Sequence, residues 1–261
     1  MLTLWYELPM RRLALLPTVL LLGCPKDPGA EPDVPTHVTA SGHAFDFSMS
    51  GGFIAGEEVR ILELPDVPSA VTDADGFWAF EDLAVGAQVT FVMDGADRPA
   101  IQTATFTVPP RDLERITFQS PTWELYDLMS SFAGLEPDPD FCQIATTVTR
   151  REHSLYDGEG THGEPGATVT IDPEVSSWKG PIYFNLVQFN VIYPDPTIAW
   201  TTDDGGVMFG NVDPGEYVLR AHKSNTTFTE VAVGCRPGVL TNASPPWGLQ
   251  VLTGGLDPRH D

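Results

Sequence analysis

The chain is short of basic residues, of cysteine and of long apolar runs, and each shortage excludes something. Only 14 of its 261 residues are Lys or Arg, against 36 Asp or Glu, for a net charge of −22. Such a surface repels phosphate, so no nucleic-acid partner is expected. There are three cysteines, Cys24, Cys142 and Cys235, and no two lie close together, so zinc-ribbon spacing is absent. The N-terminal apolar run, 13–22, is too short to span a bilayer, which takes about 20 apolar residues. No Gly-x-Ser-x-Gly elbow and no phosphate-cradling Gly loop occur, and no two histidines have His-x-x-x-His spacing.

What the N-terminus does have is Arg11-Arg12 ahead of that apolar run, which ends at Leu21-Leu22-Gly23-Cys24. The segment resembles a bacterial lipoprotein signal peptide with its lipobox. The resemblance implies cleavage of residues 1–23 and a diacylglyceryl group on Cys24, the chain's link to a membrane. Met10 is the expected start, because Glu7 and Pro9 stand ahead of the arginines. Pro25 after the cysteine favours, by analogy, the outer membrane over inner-membrane retention. The localisation expected is thus the cell envelope. Residues 24–37 are rich in Pro and Asp and read as a tether. Losing Arg11, Arg12 and Glu7 with the leader would shift the net charge only from −22 to about −23. With Cys24 assigned to lipid, Cys142 and Cys235 are expected to pair as a structural disulfide in an oxidising compartment.

Beyond the tether the chain is a succession of short alternating apolar runs divided by Gly, Pro and Asp, which predicts an all-β sandwich class. It also repeats itself. Residues 71–89 (VTDADGFWAFEDLAVGAQV) align without a gap on 200–218 (WTTDDGGVMFGNVDPGEYV). Thr72 matches Thr201, Asp75-Gly76 matches Asp204-Gly205, Phe80 matches Phe209, and Gly86 matches Gly215. Upstream, 56–61 pairs with 166–171, and the second copy carries an insertion within 172–200. Between the copies, 121–135 has helical spacing. Trp123, Leu125, Leu128, Met129 and Phe132 there predict an apolar stripe that packs between modules.

The repeated pattern resembles the carboxypeptidase regulatory-like domain, a transthyretin-like β-sandwich. The resemblance implies two tandem sandwiches, 38–119 and 142–252, joined by a helix-containing linker at 120–141 and followed by a tail at 253–261. It also implies that Asp75-Gly76 and Asp204-Gly205 are hairpin turns. Members of the family are generally non-catalytic modules that bind, space or stabilise.

An enzymatic alternative starts from residues 201–222, which also resemble the ring-cleavage run of intradiol dioxygenases. Tyr217 matches an iron-binding tyrosine, but His222 is followed by Lys223-Ser224, so the required His-x-His pair is missing. Tyr217, His222, His153 and His162 are the candidate metal ligands, and against them stands the lack of any short ligand spacing. No cofactor and no catalytic residue is expected. Aromatic residues are the better lead. Trp178, Tyr183, Tyr193, Trp200 and Trp247 gather around the insertion and the C-terminal run. Exposed, they would stack on sugar rings or anchor a protein; buried, they would fill the second core. The function expected is a lipid-anchored, non-enzymatic binding or scaffold protein with a glycan or envelope protein as partner. A metal-dependent enzyme and a purely structural spacer are the alternatives.

Overall fold

Alternation along the chain is realised as strands almost from the first described residue. The computed structural model describes residues 34–47, 51–154, 162–174, 179–187 and 191–255. The expected signal peptide, Cys24, most of the tether and Trp178 lie outside the described residues. In the N-terminal half the strands are β1 His37–Asp46, β2 Glu58–Ile61, β3 Ala70–Val71, β4 Phe77–Ala84, β5 Gln88–Val89, β6 Phe91–Met93, β7 Ile101–Thr103, β8 Phe106–Thr107 and β9 Leu113–Ser120. One helix, α1 Trp123–Phe132, follows. The C-terminal half holds β10 Cys142–Thr149, β11 Thr168–Asp172, β12 Lys179–Val187, β13 Val191–Asp195, β14 Gly206–Val212, β15 Gly215–His222, β16 Thr227–Phe228, β17 Val231–Cys235, β18 Leu240–Asn242 and β19 Leu249–Thr253. The protein is mostly β, in several sheets.

The sequence repeat reappears as a repeated pairing scheme. In the first half, β1 lies between β4, antiparallel, and β9, parallel. In the second half, β10 lies between β14, antiparallel, and β18 and β19, both parallel. The β2–β6–β7 run corresponds to β11–β15–β17, antiparallel throughout. Each half has its own core. Val38, Ala40, Ala44, Trp78, Phe80, Phe91 and Phe118 belong to the first; Ile144, Val169, Val207, Phe209, Tyr217 and Leu219 belong to the second. Period-2 burial on β1 makes the first core possible: Val38, Ala40 and Ala44 point in, while Thr39, Ser41, His43 and Phe45 point out. Gly42 shares the inward face, where a Cβ would meet the Ile116 carbonyl oxygen at 1.6 Å. Only glycine lets β9 come that close.

Two expectations are corrected. The Asp-Gly turns are present, with Gly76 at φ 69° and Gly205 at φ 76°, and at the first Asp73 N–H donates to the Phe77 carbonyl at 3.0 Å, but the strands on either side of each turn pair elsewhere. Strand β3 pairs with β2 while β4 pairs with β1, and β13 and β14 flank β12 on opposite sides. The turns therefore carry the chain onto a strand that is not its neighbour. The halves, expected to be joined by residues 120–141, also share a sheet. Strand β18 runs parallel to β7, with Leu240 beside Ile101 and Asn242 beside Thr103. The seam is reinforced by Arg236, whose Nε donates to Gln102 Oε1 at 2.6 Å, and by Thr105 N–H donating to the Ala232 carbonyl at 3.1 Å.

Cys142 at the start of β10 and Cys235 at the end of β17 form a disulfide, with Cα atoms 5.6 Å apart. At the other end of β10 and β15, Glu164 is fully buried and accepts a hydrogen bond from Lys223 Nζ, which also donates to the Pro165 carbonyl at 2.7 Å. Removing the ammonium takes one charged partner from a carboxylate in a medium that solvates it poorly. Lys223→Met is expected to destabilise by about 3 kcal/mol. A urea midpoint unchanged from wild type would refute it.

Candidate ligand-binding site

Helix α1 begins at Thr122, whose Oγ1 accepts from Leu125 N–H at 3.3 Å. It ends at Gly134, in the left-handed region at φ 63°. Leu135 N–H bonds back to the Ser130 carbonyl and Gly134 N–H to that of Ser131, the paired closure that a glycine at this position permits. Leu135 then packs into a small cluster with Ala133, Ile182 and Met208, which seats the helix on the sheet.

The strands beneath are buried on both faces. On β10 and β14 one alternation feeds the core through Ile144, Val148, Val207 and Phe209. The other sends Gln143, Ala145, Thr147, Gly206 and Met208 toward α1. Helix and sheet do not fill the space between them. A cavity of about 190 Å³ remains, roofed by Tyr126, Met129 and Ser130 and floored by the sheet. Burial, with the Asp127 charge beside it, pushes the Tyr126 hydroxyl up to about 12, so it stays protonated. His162 and Asp204, each 8 % exposed, line the wall. Neither ring nitrogen of His162 has a hydrogen-bond partner among the described residues. Asp204 Oδ2 accepts from Gly206 N–H at 3.0 Å. Burial raises the Asp204 carboxyl above the ordinary range, while the neighbouring His162 opposes the rise.

The four expected aromatic residues that are described do not form one platform. Tyr183 is buried, and its hydroxyl accepts from Val169 N–H at 3.1 Å, so it offers a ligand nothing. Trp247 is half-buried beneath the Arg115 guanidinium, 5.4 Å from its ring centre. Trp200 is 59 % exposed. Tyr193 is half-buried, with its ring 5.6 Å from Phe132 of α1. The expected helical stripe is corrected as well. Trp123, Leu128 and Phe132 are about half exposed, at 48 %, 49 % and 49 %. Only the arc carrying Leu125, Tyr126, Met129 and Ser130 turns inward, because the apolar arc is wider than one sheet can cover. Sequence reading also missed the outer face of β1, where His43, Phe45, Phe53 and Phe77 gather with centroids 5.2–6.1 Å apart. The outward register of β1 was the signal that would have found it.

The candidate metal ligands stay apart. Tyr217 points into the core and its hydroxyl donates to the Asp213 carbonyl at 2.8 Å. His222, five residues on, lies on the opposite face of β15, where Nε2 meets Thr170 Oγ1 at 2.9 Å. His153 is half-buried near β19, its carbonyl accepting from Gln250 Nε2. Of the four, only His162 reaches the cavity. Among the described residues no group of three His, Cys, Asp or Glu side chains is placed to hold a metal ion.

No protein-family profile matches the chain, and no curated protein matches it in sequence. Among solved structures it is similar to the TIE protein of Bacillus anthracis, at 10% identity and a TM-score of 0.28, over 83% of this chain and 34% of that one. The chain thus spans about a third of that protein's length. It is similar to a minor pilin of Streptococcus agalactiae, at 10% identity and a TM-score of 0.23, over 85% of this chain and 99% of the pilin. It is also similar to a putative carbohydrate-binding protein from Bacteroides uniformis, at 9% identity and a TM-score of 0.28, over 76% and 96% of the two chains. The β-sandwich class rests on the strand pairing and the two cores described above.

Proposed function

We propose that this chain is a lipid-anchored, non-enzymatic binding protein of the bacterial cell envelope, built of two tandem transthyretin-like sandwiches. The lipobox-like 21–24 supports the anchor, and Pro25 the outer membrane. The observation that carries the binding role is the aromatic edge where α1 meets β13. Phe132 and Tyr193 lie ring to ring there, with Leu128 half exposed alongside. Rings left partly open to water on a helix that the sheet holds in place suit stacking on a sugar ring or anchoring a protein partner.

The test uses the full chain on a glycan array and in pull-downs from envelope extract. A ligand found by either route is expected to bind the Phe132→Ala/Tyr193→Ala variant at least about 30-fold more weakly, the loss of one strong aromatic anchor. A variant that binds as tightly as wild type would sink the aromatic-edge reading. Mass spectrometry of the envelope-extracted protein tests the anchor separately: the expected N-terminus is acylated Cys24.

A further inference from the structure

The cavity under α1 has a polar end that the chain leaves unmet. His162 is buried there with neither Nδ1 nor Nε2 hydrogen-bonded among the described residues. Asp204 shares the wall, and among the described residues its carboxylate accepts a hydrogen bond from Gly206 N–H alone. A buried polar group without a partner costs about 1–3 kcal/mol, and native proteins keep few of them. Most of the remaining surface is carbon, from Ala145, Met208 and Leu240 below and Met129 and the Tyr126 ring above, with the polar side chains of Gln119, Gln143 and Asn242 among it.

We propose that this cavity is a binding site for a small, uncharged ring compound bearing one hydroxyl group, a phenol or an alicyclic alcohol. Size sets the first limit. An apolar cavity of about 150 Å³ admits benzene, so about 190 Å³ holds one substituted ring. Hydrogen-bond chemistry sets the second. A carbonyl only accepts, and would turn lone pairs toward the Asp204 carboxylate. An ammonium only donates, and would leave the imidazole N–H unmet. An anion would oppose both Asp204 and a chain of net charge −22. A hydroxyl both donates and accepts, so one group serves carboxylate and imidazole together.

This site is separate from the Phe132–Tyr193 edge, so either can fail while the other stands. The test titrates the full chain with p-cresol, toluene and p-toluate, read by calorimetry and ligand-detected NMR. The expected result is one p-cresol per chain, bound at least tenfold more tightly than toluene, with no binding of p-toluate. His162→Leu is expected to keep toluene binding and lose the preference for p-cresol, an outcome a misfolded variant cannot give. Ala145→Leu, which fills the cavity, is expected to abolish both. Equal affinity of wild type for p-cresol and toluene, or binding of neither, would overturn the proposal. So would a preference for p-cresol that survives in His162→Leu.

Discussion

Reducing the Cys142–Cys235 disulfide is expected to cost about 4 kcal/mol, the effect of freeing a loop of this length in the unfolded chain. The bond closes 93 residues of sequence, nearly the whole C-terminal half. It joins β10 of the long sheet to β17 of the β11–β15–β17 sheet, so it bridges the two layers of one sandwich. Both cysteines are buried, at 0 % and 4 % exposure, among Ile144, Val212 and Val233. The reduced thiols would still pack there as small apolar groups, so the native state loses little. Most of the effect falls on the unfolded state. Urea unfolding of the full chain, with and without reductant, measures it as a lowered midpoint. Thermal melts should show a drop of roughly 10 °C. Coincident midpoints would refute the prediction. Disulfides of this kind persist in oxidising compartments, the setting that the export proposed from residues 11–24 would supply.

Much of the fold was legible because its signals are local. Alternation marks the strands, and Asp-Gly with a positive φ marks the turns at Gly76 and Gly205. Odd cysteine arithmetic left Cys142 and Cys235 to pair. What could not be read is pairing at a distance. Strand β18 is three residues long, too short to carry any period, yet it stitches the halves together through β7. The hairpins were misread for the same reason, since an Asp-Gly turn reverses the chain without naming the strand it will join.

The site was less legible than the fold. Residues such as Ala145, Thr147, Gly206 and Met208 carry no motif, and alternation on a strand buried on both faces does not say which face meets the core. Tyr183 shows the difficulty. It looked like one more aromatic beside the insertion, but it points to the core while its neighbours Ile182 and Phe184 face the helix side. His162 was visible only as an isolated histidine, and Asp204 only as a turn residue. The topology alone makes them neighbours, because the turn before β14 returns to the segment that leads into β11.

Trp78→Ala is expected to cost about 4 kcal/mol, because it removes the largest side chain of the N-terminal core. Trp78 is 1 % exposed, with Phe91, Phe118 and Phe80 at centroid distances of 5.0, 5.7 and 6.0 Å. The repeat aligns it with Val207, which is also fully buried on the core face of β14. The halves therefore fill one position by different means. The first packs an indole against three phenyl rings, while the second uses a smaller side chain and cross-links its layers through Cys142 and Cys235. Truncation should accordingly leave a cavity that three rigid rings cannot close. Trp78 Nε1 has no hydrogen-bond partner, so Trp78→Phe removes an unmet donor along with carbon. The two effects oppose each other, and the net cost of Trp78→Phe should stay within about 1 kcal/mol. Chemical unfolding of both variants separates the cases. Equal losses for Ala and Phe would refute the prediction, because a phenyl ring would then recover none of the packing.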